Sequence, residues 1–461
     1  MDGPAVHAWL ATQLHPSGTA TLPIEAQAQI DAMTISRTPF EVLALQMQAR
    51  QRDARALPTE DERKAALQAW QQDMRALQRE AGQRFVLRAL YSPSQLREKM
   101  TWFWMNHFNV FAGKANLRAA VGDYEERAVR PHALGRFRDL LGATVRHPAM
   151  LRYLDNAQNA AGRINENYAR ELMELHTLGV GGGYSQRDVQ ELARVLTGVG
   201  IALRPLDEES PRMGPALRGY YVRQGLFEFN PQRHDWDPKT LLGEPLHAKG
   251  LAEVDEALDR LARHPATARF ITRKMAVYLV GDMPPPALLD ALARTFERTD
   301  GDLAAVLAEL FDAPAFQASL GQRFRDPVQY LLAGARLVHG EQVLASTDPL
   351  LVWLQRLAEP LYGRATPDGY PLDAATWAGS GQMTARFDAA RALGAGALAP
   401  APSPNEGTPG ARPPPPALSQ TPYVRQIEDT LAPATRAALA QATSPREWNL
   451  LFLASPEFMR G

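Results

Sequence analysis

The chain has 461 residues, of which 45% are hydrophobic and 22% are charged, with a formal net charge of −1. This composition is typical of a globular protein, and a near-zero net charge provides no field that would recruit nucleic acid or an anionic membrane. Because cysteine is absent, thiol catalysis, disulfides and thiolate metal sites are excluded.

The length exceeds the roughly 250–300 residues at which single cores stop growing, so two helical layers or subdomains are expected. No run approaches the roughly 20 apolar residues that a membrane-spanning helix requires. No signal peptide is visible in the chain as it stands.

Helical signals dominate residues 1–204, which we predict to be an N-terminal helical region. Thr59 and Glu62 form a capping box ahead of a long amphipathic segment. Ser92, followed by Pro93, predicts the start of an aromatic-rich and therefore central helix. Ser185 and Asp188 form a second capping box, and that helix is expected to end at Gly198.

The pattern changes after residue 204, and residues 205–250 are predicted to be a loop and β-hairpin region. Residues 220–229 alternate and are rich in aromatic residues, as strands are, and residues 239–242 could pair with them. Residues 251–399 form a second helical region, 400–422 a Pro-rich linker and 423–461 a C-terminal helical region. The predicted fold class is therefore mostly α, a multi-helix globule with one small β-hairpin near 220–243.

The most polar helical segment of the chain provides the first candidate site residues. Residues three or four apart share a helix face, so Glu171 and Glu174 would point the same way. Two such carboxylates can hold a divalent cation, or raise each other's pKa so that one acts as an acid. Arg170 would orient them or bind an anionic substrate. The alternative is an ion-paired surface in which Arg170 binds Glu174, four residues on, and Glu166.

Two histidines extend this candidate site. His107 lies among large apolar residues and is either a structural core residue or a catalytic group that meets Glu171 in space. His234 and Asp235 lie in a loop and could ligate a metal, or act as base and orienter; alternatively Asp235 forms an Asx-type turn. The hypothesis is a site with Glu171, Glu174, Arg170 and His107 as catalytic residues, and with His107, Glu171, His234 and Asp235 as ligands of a divalent metal.

Other chemistries find no support in the motifs. Residues 181–183 are three glycines, but they follow a helix and no Gly-Lys-Ser/Thr follows them, so they are not a phosphate loop. There is no Gly-x-Ser-x-Gly elbow. Glu174 and His176 lack the Glu-x-x-His spacing of di-iron bundles. Only six lysines occur in the chain, so Lys239 and Lys274 are of some interest.

Several segments resemble one known family. They are NENYARELMELHTLGVGGGYSQRDVQELARVLTG, WMNHF, FEFNPQRHDWDPKTLLG, HPATARFITRKM and LASPEFMR, and they are similar to the bacterial domain-of-unknown-function 1800 family. The resemblance implies a mostly helical, exported bacterial protein, periplasmic or secreted, and implies no reaction. Such proteins usually carry an export signal, whereas Met1 here almost directly precedes the matching segment, so the chain looks trimmed.

Two functions remain open at this point. The first is an exported enzyme that acts by acid/base or metal-assisted chemistry, such as hydrolysis, on an extracellular polymer. The second is a non-catalytic binding or scaffold protein for a co-exported enzyme, with the polar cluster as a structural network. An enzyme requires polar atoms with unfilled hydrogen-bonding capacity at its site, whereas a scaffold requires those atoms to be paired with each other.

Overall fold

The computed structural model describes residues 3–17, 21–396 and 417–461, and this part of the chain is mostly α-helical, as predicted. Its α-helices are α1 (Gly3–Leu14), α2 (Ile24–Ala32), α3 (Thr34–Arg37), α4 (Phe40–Ala56), α5 (Glu60–Tyr91), α6 (Gln95–His107), α7 (Val121–Asp123), α8 (Phe137–Arg146), α9 (Pro148–Tyr153), α10 (Asn167–Glu171), α11 (Gln186–Val195), α12 (Pro215–Arg218), α13 (Leu251–Ala262), α14 (Pro265–Leu279), α15 (Pro286–Arg298), α16 (Leu303–Asp312), α17 (Pro314–Ser319), α18 (Pro327–His339), α19 (Asp348–Arg356), α20 (Ala374–Trp377), α21 (Ser380–Gly394), α22 (Pro422–Ile427), α23 (Pro433–Ala440) and α24 (Pro445–Leu453). Short 3₁₀ turns occupy Leu117–Ala119, Arg130–His132, Asn156–Gln158, Leu418–Gln420 and Glu428–Thr430.

The β structure is small, and only part of it matches the prediction. Strands β1 (Val199–Ile201), β2 (Val222–Gln224) and β3 (Phe227–Phe229) form an antiparallel sheet in the order β1-β3-β2. The prediction of a little antiparallel β structure near 220–243 is confirmed. Residues 220–229, however, contain two strands that pair with each other rather than the single predicted strand, and β1 was not predicted. The proposed pairing of residues 239–242 with this sheet is wrong, because β4 (Thr240–Leu241) pairs with β5 (Glu244–Pro245) in a hairpin of its own.

Local capping signals placed two helix starts correctly and a third incorrectly. Thr59 and Ser185 each form the predicted capping box, at the starts of α5 and α11. The prediction that Ser92 caps the next helix is wrong, since α6 begins at Gln95 and Ser94 precedes it without a side-chain cap. Instead the Leu96 amide donates to Gln13 Oε1 at 3.2 Å. A cap supplied by a distant helix leaves no signal in the neighbouring sequence.

One continuous hydrophobic core contains residues from every predicted helical region, among them Leu14, Trp104, Leu258 and Phe452. The proposed domain boundaries stay a prediction. Of the predicted linker, residues 400–416 lie outside the described part of the chain. Leu418 is already buried, so packing resumes before residue 422.

Two segments are π-helical rather than α-helical: Tyr124–Val129 and Leu172–Thr177. In the second, the Leu178 amide donates to the Met173 carbonyl at 2.8 Å, a bond that spans five residues instead of four. A π turn contains more residues than an α turn. Side chains on either side of it therefore no longer share a face at the usual three- and four-residue spacing.

The first π-helical segment carries a buried carboxyl group. Glu125 is 1% exposed and accepts a hydrogen bond from the Tyr362 hydroxyl at 2.5 Å. Burial raises the pKa of Glu125 from 4.5 to about 6, while Arg84 and the Tyr362 hydrogen bond act in the opposite direction. The ionised form is therefore less stable in the folded protein than in the unfolded chain.

We expect the Glu125→Gln variant to change how stability depends on pH. A folded-state pKa above the unfolded value means that the contribution of Glu125 is present below the unfolded pKa and is lost as pH rises through about 6. The loss amounts to about 2 kcal/mol for a shift of this size. Urea unfolding of both proteins at acidic and neutral pH measures it. The stability of the wild type should fall relative to Glu125→Gln on going to neutral pH, and a constant difference would contradict the expectation.

Candidate functional site

His107 lies at the end of α6, buried among aromatic rings. Its Nε2 atom is 3.1 Å from the carbonyl oxygen of His176, and its Nδ1 atom is 3.0 Å from Nζ of Lys274. These partners fit a neutral ring that donates from Nε2 and accepts at Nδ1. Burial, followed by the charges of Lys274 and His176, holds the pKa of His107 well below its usual value. His107 therefore contacts the helical segment that follows Glu171, through the His176 carbonyl, and its meeting with the Glu171 side chain stays a prediction.

His176 lies in the π-helical segment and is fully buried. Among the described residues neither of its ring nitrogens has a hydrogen-bond partner. Burial, assisted by the charge of Lys274, lowers the pKa of His176 to about 3. A buried polar group without a partner is costly, so this ring has a hydrogen-bonding capacity that the surrounding fold leaves unused.

Lys274 lies on α14 and is half-buried. Within the described residues its ammonium hydrogen-bonds only to His107, and no carboxylate forms an ion pair with it. Burial lowers the pKa of Lys274 to about 8, against the opposing charge of Asp368. Lys274 is therefore a cation that lacks a direct counter-charge.

Glu171 is the matching unpaired anion. It is half-buried and forms no hydrogen bond or ion pair with another residue in the described part of the chain. Burial raises the pKa of Glu171, Glu174 raises it further, Arg170 opposes the shift, and Asp368 adds to it. A carboxyl group and an amine whose pKa values are shifted toward each other are typical of functional sites.

The alternative of an ion-paired helix surface is confirmed for Glu166 and wrong for Glu174. Arg170 donates to Glu166 at 3.1 Å, as that alternative expected, and to Gln186 at 2.8 Å, while Glu174 accepts from the Tyr184 hydroxyl at 3.4 Å. The π-helical turn begins immediately after Glu171, so the four-residue spacing of an α-helix does not extend across it. Arg170 still acts on Glu171 through its charge.

Asp368 lies in a loop, residues 364–370, that the sequence did not indicate as part of the site. Asn106 of α6 anchors the loop by donating to the Tyr370 carbonyl at 2.9 Å and accepting from the Tyr370 amide at 2.6 Å. A Cβ atom on Gly369, whose φ is +76°, would lie 2.2 Å from the Asn106 carbonyl oxygen. Only glycine fits at that position, and this close approach holds the exposed Asp368 near the site.

We call the resulting group of side chains the Glu171–Lys274 cluster. It joins four parts of the chain: α6, α14, the π-helical segment with the preceding helix α10, and the loop 364–370. Its members are His107, Glu171, Glu174, His176, Lys274 and Asp368.

His234 and Asp235 belong to a different network. The Nδ1 atom of His234 is 2.8 Å from the Thr197 carbonyl oxygen, and its Nε2 atom is 3.2 Å from Glu253. Lys239 completes the group, with Nζ 3.0 Å from Glu253. These side chains are almost fully buried, and their charges are paired with each other, which is the arrangement expected of a structural network.

Asp235 is held in the same region by Arg194, whose guanidinium lies 2.8 and 3.1 Å from its two carboxylate oxygens. This hydrogen-bonded pairing lowers the pKa of Asp235. Asp235 also accepts the amide of Asp237 at 3.0 Å, which is the Asx-type turn considered above as the alternative to a metal ligand.

The four predicted metal ligands therefore divide between two networks. His107 and Glu171 lie in one, His234 and Asp235 in the other, and both oxygens of Asp235 are already bound by Arg194. Among the described residues, no group of three or more His, Asp or Glu side chains is placed to hold a metal ion. The metal site remains a prediction that this geometry does not support.

The fold and the site together define a mostly α-helical protein. It carries a carboxyl group, Glu171, and an amine, Lys274, that lack ion-pair partners among the described residues, and a π-helical turn follows Glu171. A family model for proteins of unknown function, DUF1800, matches residues 2–460, and the chain belongs to that family. Comparison with curated proteins gave no match, and comparison with solved structures gave none either. No helix in the described ranges is long and apolar enough to cross a membrane.

Sequence reasoning gave too little weight to three members of the cluster: His176, Lys274 and Asp368. The scarcity of lysine was a usable signal for Lys274, since only six lysines occur. Nothing in the local sequence of Asp368 indicates the site, because the anchors of its loop lie more than 250 residues earlier in the chain.

We expect Lys239→Met to destabilise the protein strongly. The change leaves the buried carboxylate of Glu253 without its ammonium partner, and removing one member of a buried ion pair costs about 3–5 kcal/mol. Urea unfolding measures the loss. Lys249→Met, at an exposed position, is the matched control and should stay within about 0.5 kcal/mol of wild type. The double variant Lys239→Met/Glu253→Gln should recover part of the loss, and failure to do so would argue against the pairing.

Proposed function

We propose that this protein is an exported acid–base enzyme whose site is the Glu171–Lys274 cluster. The observation that carries the proposal is the contrast between two ionisable groups that both feel the charge of Asp368. Glu171 and Lys274 are both accessible to solvent, neither has an ion-pair partner among the described residues, and their pKa values are shifted in opposite directions. Charged residues with a purely structural role are expected to pair with each other, as His234, Lys239 and Glu253 do.

Glu171 is the proton donor in this proposal. A raised pKa keeps a larger fraction of the carboxyl protonated near neutral pH, which is what a general acid requires. Glu174 and Asp368 contribute to that shift through their charges, so they tune Glu171 rather than replace it.

Lys274 is the group that stabilises negative charge. With a pKa of about 8 it is mostly protonated at neutral pH. Its hydrogen bond to Nδ1 of His107 uses one of its three protons and leaves the others for a substrate oxygen. The Nε2 bond of His107 to the His176 carbonyl fixes the ring, so His107 acts as a positioning residue.

Together these roles favour hydrolysis of a bond that has an oxygen leaving group. Water would add to the electrophilic centre, and Lys274 would stabilise the negative charge that develops on the oxygen there. Glu171 would protonate the leaving oxygen as its bond breaks, and the proton of the attacking water would then pass to the Glu171 carboxylate and restore the acid. We further propose, from the family resemblance noted in the sequence, that the protein acts outside the cytoplasm, in the periplasm or the medium. An extracellular polymer is the substrate class that fits that location.

The second candidate is a non-catalytic binding or scaffold protein for a co-exported enzyme. The observation in its favour is the His234 network, in which Arg194, Asp235, Lys239 and Glu253 are paired with each other or with His234. That network supports a structural role for its own region. It does not extend to Glu171 or Lys274, which is why the enzyme is the better-supported function.

We expect Glu171→Gln to abolish hydrolysis of whichever extracellular polymer the wild type cleaves in a panel of polysaccharides, peptidoglycan and polyesters. Loss of a general acid typically costs about 10²–10⁴-fold in rate. Glu166→Gln, which removes a carboxylate paired with Arg170, is the matched control and should retain most activity. Metal content of both proteins, measured by inductively coupled plasma analysis, tests the metal-ligand alternative in the same preparations.

The pH profile separates Glu171 from Glu174. A general acid works in its protonated form, so activity should fall as pH rises through the pKa of Glu171. Because Glu174 raises that pKa, Glu174→Gln should shift this falling limb to lower pH without abolishing activity. Full activity of Glu171→Gln, or a Glu174→Gln profile identical to wild type, would count against the proposed roles and favour the scaffold.

A test that needs no substrate uses the small number of lysines. Acylation of the six amines at a series of pH values, followed by mass spectrometry, reports the pKa of each one. We expect Lys274 to react with an apparent pKa of about 8. Because the charge of Asp368 raises the pKa of Lys274, Asp368→Asn should lower it further. An ordinary pKa for Lys274 would contradict the proposal.

A further inference from the structure

A cavity of about 370 Å³ lies away from the Glu171–Lys274 cluster, between α5, α6, α14 and α18, with α1 at its rim. Its volume falls in the range of small-molecule sites. Most of its wall is aromatic or aliphatic: Trp9, Phe85, Trp102, Tyr278, Val328 and Leu332.

The charged groups that line this cavity are mainly basic. Lys99, Arg325 and Arg336 line it, together with Glu98 and the C-terminal residue Gly461, which lies against Arg325. The carboxylate of Glu98 is already bound by Arg130, at 2.7 and 3.1 Å. Positive charge therefore exceeds negative charge in the cavity, on a wall that is mostly apolar.

Lys99 is the central cation. Among the described residues it has no hydrogen-bond acceptor and no ion-pair partner, and its ammonium lies 5.6 Å from the centre of the Tyr278 ring. The Lys99 side chain is exposed to solvent in the open cavity. Desolvation by the surrounding wall lowers its pKa to about 8, with a further reduction from Arg323, while Asp326 opposes the shift. Asp326 itself does not line the cavity, and its carboxylate accepts the amide and the side chain of Gln329.

Arg336 is held against the cavity wall. Its Nη2 atom donates to the Ala89 carbonyl and to Gln95, and no carboxylate forms an ion pair with it in the described part of the chain. Desolvation lowers its pKa to about 10, as expected for a cation that lacks a counter-charge. An anion that binds here could pair with the Arg336 guanidinium, which is held by its hydrogen bonds, and with the Lys99 ammonium, which has no hydrogen-bond acceptor among the described residues.

We propose that this cavity binds a small organic carboxylate with an aromatic or branched apolar body. The carboxylate would pair with Lys99 and Arg336, and the apolar body would pack between Trp102, Phe85 and Tyr278. An inorganic anion would leave the apolar wall uncovered, and a neutral apolar compound would leave Lys99 without a partner. The inference does not depend on the proposed enzymatic function.

The experiment compares 2-naphthoate with the uncharged 2-naphthamide, which has nearly the same shape. Binding is followed by calorimetry and by quenching of tryptophan fluorescence, since Trp9 and Trp102 line the cavity. We expect the wild type to bind the carboxylate at least about tenfold more tightly than the amide. The affinity for the carboxylate should fall above a pH of about 8, where Lys99 loses its proton.

Variants locate the site. Lys99→Met should reduce the preference for naphthoate over the amide, and Lys99→Met/Arg336→Met should abolish it. Lys99→Arg should retain the preference, and Lys249→Met should behave as wild type. Ala333→Trp, which places a large side chain in the cavity, should abolish binding of both compounds. Equal affinities for the two compounds, an unchanged Lys99→Met variant, or an unaffected Ala333→Trp variant would each overturn the proposal.

Discussion

The burial of α6 is the constraint on which the rest of the site depends. Its side chains are enclosed along nearly the whole helix, so each polar group on it needs a partner inside the protein. Glu98 is bound by Arg130, Asn106 by the Tyr370 backbone, and His107 by Lys274 and the His176 carbonyl. These bonds position a distant loop, a π-helical turn and α14 around the end of one helix.

The same helix and α14 connect the two sites proposed for this protein. Near the start of α6, the Lys99 ammonium lies over the ring of Tyr278, at the end of α14. At the end of α6, His107 contacts Lys274 and Phe270, which lie earlier in α14. The two helices therefore run antiparallel, with the basic cavity at one end of the pair and the Glu171–Lys274 cluster at the other.

Two polar networks of similar composition differ in how their charges are paired. In the network of His234, Lys239 and Glu253, the charges are paired, and the cost of removing them from water is offset locally. In the Glu171–Lys274 cluster, the carboxyl and amine are unpaired and the ring of His176 lacks partners. This contrast in hydrogen-bonding capacity is what supports the proposal that the Glu171–Lys274 cluster is the site of chemistry, whereas the His234 network holds the fold together.

The sequence by itself determined the features that depend on neighbouring residues. The capping boxes at Thr59 and Ser185 and the polar segment around Glu171 each arise from a few consecutive side chains. The mostly helical fold class follows from many such local signals. It could not determine the π-helical turn, because the three- and four-residue spacing rules assume an α-helix, and so the predicted Arg170–Glu174 pair failed. Nor could it bring Lys274 to His107, 167 residues away, or His234 to Glu253. Contacts of that range are decided by the packing of whole helices, and only the tertiary structure contains that information.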